Sequence, residues 1–345
     1  MESIQHPVVI GVDPHVDTLS AAAVDPAGAV MWDTTVDNTT AGINDLIGWV
    51  NGSAVLWAIE GTGTFGRALC DRLLATGHPV REVPTRLTGR WRTRSGFGKT
   101  DRGDAAAIAR AGLADPLARV THHPVCETLR IYTRQREALV RSQVRALNRI
   151  RARLRELDPD TERTMGRLRN KSTLTGLADY PHRDTDGLYR QALVTAIRID
   201  AGNWLIRYHQ IRQLETDIRG VLPEAGHALM GITGIGLIGA ATIIAGTGSI
   251  DRFPTEGHYA RYCGTAPLDA SSGRNQHHRL NRWGNRALNR VLHTAIVTQL
   301  GCRGDGYHYV NRRTQQGKPK SAAIRAAERH LNRNIYRLLK RYPLT

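Results

Sequence analysis

Val8-Val9-Ile10-Gly11-Val12-Asp13 is a short apolar run that stops on an aspartate, and the architecture of the N-terminal third follows from it. Its β-branched residues favour a strand, and Leu19 to Val24 and Ala29 to Val36 read as two more. Pro26-Ala27-Gly28 is a turn signal between the last two, so an antiparallel meander is expected. Further on the pattern alternates. A helix over Thr40 to Val50 precedes an apolar strand from Ala54 to Ile59 that ends at Glu60; a helix from Phe65 to Ala75 and a strand from Pro79 to Val83 follow.

Hairpinned strands followed by alternating helix and strand is the order of a ribonuclease-H-like α/β domain. In that layout Asp13 and Glu60 sit at strand ends. Lys99-Thr100-Asp101-Arg102-Gly103-Asp104-Ala105 adds two acids where a polar loop enters the alanine-rich helical run Ala105 to Ala114. Residues three apart share a helix face, so Asp101 and Asp104 present their carboxylates side by side. Such a pair repels unless a cation lies between, and Mg²⁺ is the usual hard cation of phosphate chemistry. The plainer alternative makes Asp101 an N-cap and Asp104 a first-turn residue favoured by the helix dipole.

Gly61-Thr62-Gly63-Thr64-Phe65-Gly66 is a literal G-x-G-x-x-G after a strand, with Glu82 placed like a ribose-binding acid. The dinucleotide fingerprint belongs to the first strand of its domain, whereas here three strands precede it, which disfavours a dehydrogenase.

The chain has 345 residues and a net charge of +17, and the charge is segregated. Residues 1–118 hold 10 Lys/Arg against 13 Asp/Glu, whereas residues 274–345 hold 16 against 2. A segregated arginine-rich surface points to a polyanion bound through its phosphates, most often nucleic acid. There is no 18-residue apolar run, and the polar start runs directly into a strand, so a cytoplasmic protein without membrane contact is expected. The scattered Cys70, Cys126, Cys263 and Cys302 fit neither a zinc site nor a disulfide framework.

From Leu129 to Leu157 apolar residues recur at helical spacing through Leu147, Ile150 and Leu154, and arginines including Arg145 and Arg149 fill the flank. A second long helix runs from Leu188 to Leu222, with Leu193, Ile197, Trp204, Ile211, Leu214 and Ile218 on its seam. The pair is read as an antiparallel coiled coil or dimer arm, or as an intramolecular hairpin. Met230-Gly231-Ile232-Thr233-Gly234-Ile235-Gly236 before an apolar helix is either a helix-hairpin-helix phosphate site or a tight packed turn. Ser271-Ser272-Gly273, followed by Arg274, Arg279, Arg282 and Arg286, has what a serine attacking a phosphodiester needs: an accessible hydroxyl and guanidiniums to neutralise the developing charge. The segment from Arg312 to Arg341 reads as basic helix.

Taken together and in order, Gly11-Val12-Asp13-Pro14-His15, Glu60-Gly61-Thr62-Gly63, the segment Lys99 to Ala105, Gly264-Thr265-Ala266-Pro267 to Ser271-Ser272-Gly273, and Gly284-Asn285-Arg286 closely resemble the DEDD transposases of the insertion-sequence one-ten family. The resemblance implies a RuvC-like domain over residues 1–120, a helical coiled-coil linker for oligomerisation over 121–225, and a mainly α transposase domain over 226–345. It implies that Asp13, Glu60, Asp101 and Asp104 form a metal-binding tetrad and that the catalytic serine is Ser272, with Ser271 the less favoured neighbour. It further implies a tetramer working with target and donor DNA and a structured noncoding bridge RNA in a prokaryotic nucleoid. His15-Val16-Asp17 stands where many members carry a lysine, which makes Asp17 a rival to Asp13; Asp13 is preferred because the strand ends there.

The resulting expectation is an RNA-guided DNA recombinase that uses Mg²⁺ and a phosphoserine intermediate. Arg145, Arg149, Arg274, Arg279, Arg282 and Arg286 are its candidate nucleic-acid contacts. About 170 residues separate Asp104 from Ser272, so the two are expected to meet across subunits. The alternatives are a Holliday-junction resolvase-like two-metal endonuclease and a non-catalytic nucleic-acid-binding protein.

Overall fold

A computed structural model describes the chain apart from residues 1–7, 51–54, 96–99, 116, 118, 121–122, 159, 161–167, 169, 183–186, 267, 270–277, 280–283 and 345. It divides into two compact units, Met1–His122 with Asp251–Phe253, and His123–Ile250 with Pro254–Thr345.

The first unit is an α/β domain. Strands β1 (Val8–Pro14), β2 (Thr18–Val24), β3 (Val30–Asp37), β4 (Val55–Glu60) and β5 (Val80–Val83) form one sheet in the order β3-β2-β1-β4-β5. The first three strands pair antiparallel as the turn chemistry predicts, and β4 and β5 add in parallel beside β1. Strand alternation sends Ile10, Val12, Trp57 and Ile59 to one face, in one core with Ile43 and Leu46 of α1 (Thr40–Gly48) and Leu69 and Leu73 of α2 (Arg67–Ala75). Val9, Leu56 and Ala58 face the other way, against Ile108 and Ala109 of α4 (Asp101–Ala114), with Leu87 and Trp91 of α3 (Thr85–Ser95) alongside. Each fully buried Leu or Ile contributes about 1.5–3 kcal/mol to these two cores. Helix α3 is not anticipated by the sequence reading, which passes from the strand ending at Val83 directly to the acidic loop.

In the second unit two 34-residue helices, α5 (Pro124–Leu157) and α7 (Leu188–Val221), share one core. Leu147, Ile150 and Leu154 of α5 meet Leu193, Ile197 and Trp204 of α7, with Leu174 and Leu177 of α6 (Lys171–Ala178) closing the end. The predicted seams are buried there, whereas Val144, which falls at the same helical spacing in α5, lies 45% exposed. Helices α8 (Glu224–Met230), α9 (Leu237–Thr247), α10 (Glu256–Tyr262), α11 (Arg286–Gly301), α12 (Asp305–Gln315) and α13 (Lys320–Arg341) follow, with a two-stranded ribbon of β6 (Leu268–Asp269) and β7 (His278–Arg279) before α11. The basic C-terminal segment is two helices rather than one. Gly317 at φ +83° turns the chain after α12, and Pro319 stands directly before the first residue of α13. Among the described residues no helix is long and apolar enough to cross a membrane.

Candidate active site

The sheet places the first two acids. β1 and β4 run parallel with Val12 opposite Ile59, so Asp13 and Glu60 are the next residues of neighbouring strands. Alternation puts both on the face of Gly11 and Ala58, where α4 lies. Small residues let that helix approach closely. A Cβ on Gly11 would stand 2.1 Å from the Ala105 carbonyl oxygen, and one on Gly112 would stand 2.5 Å from the Ala58 Cβ. This close seat brings the N-terminal turn of α4, with Asp101 and Asp104, to the ends of the same two strands.

Thr100, not Asp101, is the N-cap of α4: the Gly103 amide donates to its hydroxyl at 3.1 Å. The plainer role foreseen for Asp101 is therefore already filled. Its side chain is 66% exposed and faces His15, whose Nε2 lies 3.6 Å from Asp101 Oδ1 and 3.4 Å from Asp13 Oδ2. The other two acids are held by α3, four residues apart on one face. Thr88 donates to Glu60 Oε2 at 2.5 Å, and the Arg92 Nη1 donates to Asp104 Oδ1 and Oδ2 at 2.7 and 2.9 Å. Asp17 is exposed in the β1–β2 turn and is absent from this cluster.

Burial pushes the Asp13 carboxyl above its ordinary value, and the charges of Glu60, Asp104 and Asp101 push it the same way; His15 opposes them. Such a cluster is relieved by a cation. Among the described residues, donor atoms of Asp13, His15 and Asp101 lie within 4.8 Å of one another, a set of carboxylate oxygens and one imidazole nitrogen that fits a divalent ion. Sequence reasoning missed Thr88 and Arg92 because it missed their helix. The available signal was Leu87 and Trp91, apolar residues four apart just after Pro84.

In the second unit, Leu268 pairs with Arg279 and Asp269 with His278. Ser271, Ser272, Arg274 and Arg282 lie outside the described residues, and of Arg279 only the backbone is described. The two ends of this segment are joined. A Cβ on Gly284 would stand 2.4 Å from Gly264 Cα, the Asn285 amide donates to the Tyr262 carbonyl at 2.7 Å, and Asn289 Nδ2 donates to the Cys263 carbonyl at 3.3 Å. Asn285 also caps α11 through the Ala287 and Leu288 amides, which leaves Arg286 exposed in the first turn.

The arginines of α5 divide. Arg145 is exposed, but Arg149 is committed to the buried Asp200 of α7 through Nη2 at 2.6 Å, and Arg153 bonds the other oxygen of the same carboxylate. A groove of about 1010 Å³ lies between α5, α7, α9 and α11, lined by Arg134, Arg141, Arg212, Arg219 and Arg290 among others, with Glu137 and Glu215 as its acids. The Gly231–Gly236 turn borders it. Gly234, at φ +89°, is pressed against Ala295, where a Cβ would come 2.7 Å from the carbonyl oxygen, so the turn is tightly packed.

Residues 10–159 match a family model described as "Transposase", that of the DEDD transposases of IS110, and residues 226–311 match the model "Transposase IS116/IS110/IS902 family". The chain is 25% identical over 360 residues, 91% of itself and 90% of the relative, to the "Insertion element IS116 uncharacterized 44.8 kDa protein" of Streptomyces clavuligerus. It is 30% identical over 120 residues, 34% of itself and 30% of the relative, to the "Insertion element IS110 uncharacterized 43.6 kDa protein" of Streptomyces coelicolor. Two models of one group match in order along the chain, and the first spans an α/β domain whose acids gather at one end of the sheet; the chain belongs to the IS116/IS110/IS902 family of insertion-element transposases.

Proposed function

We propose that this transposase moves its element by serine-mediated DNA strand exchange directed by a structured noncoding RNA. The observation that carries the reading is the convergence of Asp13, Glu60, Asp101 and Asp104 from two strands and a helix, which together would hold Mg²⁺. Bound there, the ion would neutralise charge on the scissile phosphate and favour the ionised nucleophile. Ser272 Oγ would attack phosphorus, breaking the bond to the 3′ oxygen; that oxygen leaves with a proton as a 3′ hydroxyl, and the phosphate stays on serine. Attack of another strand's 3′ hydroxyl on the phosphoserine reverses the step and rejoins DNA without external energy.

The remaining residues bind and orient. Arg286, Arg274, Arg279 and Arg282 flank the serine in sequence, and Arg145 with the arginines of the groove supplies the phosphate-binding charge. Residues 1–120, 121–225 and 226–345 would then serve as the metal-binding, linking and serine-bearing parts. Ile199 and Ile206, a heptad apart on α7 and each 59% exposed, favour assembly through this helix into the expected tetramer. The test is reconstitution of the purified chain with donor DNA, target DNA and the RNA encoded beside its gene. Joined donor-target strands that require all three are expected; joining that proceeds without RNA would overturn the guided reading.

A further inference from the structure

We propose that His15 is itself a ligand of the carboxylate site, so that the site takes a first-row transition ion, Mn²⁺ included, in preference to Mg²⁺. The inference rests on the reading that Asp13 and Asp101 bind metal, and it concerns which metal they bind.

Three observations carry it. His15 Nε2 stands 3.4 Å from Asp13 Oδ2 and 3.6 Å from Asp101 Oδ1. Both distances exceed the usual span of an N–H···O hydrogen bond, about 2.7–3.2 Å. With metal–ligand bonds of about 2.0–2.2 Å, adjacent donors of an octahedral ion lie about 2.8–3.1 Å apart, so shifts of about 0.5 Å or less would bring these groups to ligand spacing. The ring sits in the gap between two carboxylates, close to ligand spacing, and hydrogen-bonds neither.

Second, the backbone that carries the imidazole is held on both sides. The His15 amide donates to the Thr18 carbonyl at 2.8 Å, and Asn38 Nδ2 donates to the His15 carbonyl at 2.8 Å while also reaching the Phe65 carbonyl at 3.1 Å. The side chain remains about half exposed, which leaves an entry path for a hydrated ion. Third, among the described residues Thr88 and Arg92 of α3 bond Glu60 and Asp104, whereas Asp13, His15 and Asp101 are the three whose donor atoms gather within 4.8 Å of one another.

The chemistry then sets the preference. Mg²⁺ is a hard ion that keeps oxygen ligands and gives up water reluctantly, whereas imidazole nitrogen is a better donor to first-row transition ions, with Mn²⁺ at the weak end of that series. Replacing one oxygen ligand by His15 therefore costs Mg²⁺ affinity and costs Mn²⁺ little.

The test uses the full chain without a histidine tag, loaded with Mn²⁺ alone. Pulsed electron paramagnetic resonance should show nitrogen coupling to bound Mn²⁺ that disappears in His15→Asn and in His15→Gln. Competition between Mn²⁺ and Mg²⁺ should show the affinity ratio falling by about tenfold in both variants, since the loss of even an outer-shell partner costs about 10–100-fold in metal affinity, whereas Asp101→Asn should weaken both ions. Mn²⁺ bound at a site lost in Asp13→Asn, but with no nitrogen coupling or with coupling that survives His15→Asn, would overturn the His15 assignment and leave the carboxylate site standing. Absence of any Mn²⁺ or Mg²⁺ binding sensitive to Asp13→Asn would overturn both.

Discussion

Arg92 holds Asp104 through both carboxylate oxygens, at 2.7 and 2.9 Å, from the same face of α3 on which Thr88 donates to Glu60. A guanidinium thus compensates the Asp104 charge. The acids form two pairs: Asp13 and Asp101 gather around His15, and Glu60 and Asp104 are engaged by α3.

Removing the guanidinium leaves a largely buried carboxylate unpaired. Arg92→Gln is expected to cost about 3 kcal/mol of stability in chelator, as for other broken buried pairs. Thermal melting should then show a larger stabilisation by added Mn²⁺ or Mg²⁺ in the variant than in the wild type, because the ion supplies the missing charge. An equal or smaller gain would show that Arg92 does not compete with metal for Asp104.

Thr100 and Asp101 are adjacent but do different work, so their substitutions should separate. Thr100→Ala removes the cap of α4 and should cost about 1 kcal/mol in denaturant melts. Asp101→Asn, at an exposed position, should leave stability nearly unchanged and reduce strand exchange by about 100-fold or more, the scale for losing a group that stabilises transition-state charge. Full activity in Asp101→Asn would leave Asp101 no more than an acid in the first turn of α4.

Asp200 should govern part of the acid stability of the second unit. Burial works against its ionised form, yet the hydrogen bonds from Arg149 and Arg153 outweigh it and hold its pKa below the ordinary carboxylate value. A depressed folded pKa contributes stability that is present above the unfolded value of about 3.9 and is lost as pH falls through the folded one. Wild type should therefore exceed Asp200→Asn by about 2 kcal/mol near neutrality, a figure reduced for the half-exposed Arg149. The difference should shrink below about pH 4. A difference that stayed constant from pH 7 to pH 3 would remove the ion pair as its cause.

The sheet and the two long helices are legible in the sequence because their patterns are local: short continuous apolar runs in β1 and β4, three-and-four spacing in α5 and α7. The seat of Asp13 was also readable, since the apolar run stops there. The partners of the acids were not. Arg92 and Thr88 lie on a short helix of mixed polarity, Thr85–Ser95, whose only apolar marks are Leu87 and Trp91, and packing against α4 rather than propensity makes it a helix. Arg149 looked like a free cation in a run of arginines because its partner Asp200 lies 51 residues away. Gly11 carried a signal that was passed over: a glycine inside a strand marks close approach of another backbone, here that of α4.

Whether Ser272 forms a covalent link to DNA is decided by trapping the chain on its substrate. With a donor duplex whose cleaved end diffuses away, wild type and Ser271→Ala should yield a protein–DNA adduct stable to denaturant, with phosphate on Ser272 by mass spectrometry, and Ser272→Ala should yield none. An adduct that persists in Ser272→Ala, or DNA cut by wild type with no adduct at all, would contradict covalent catalysis by Ser272.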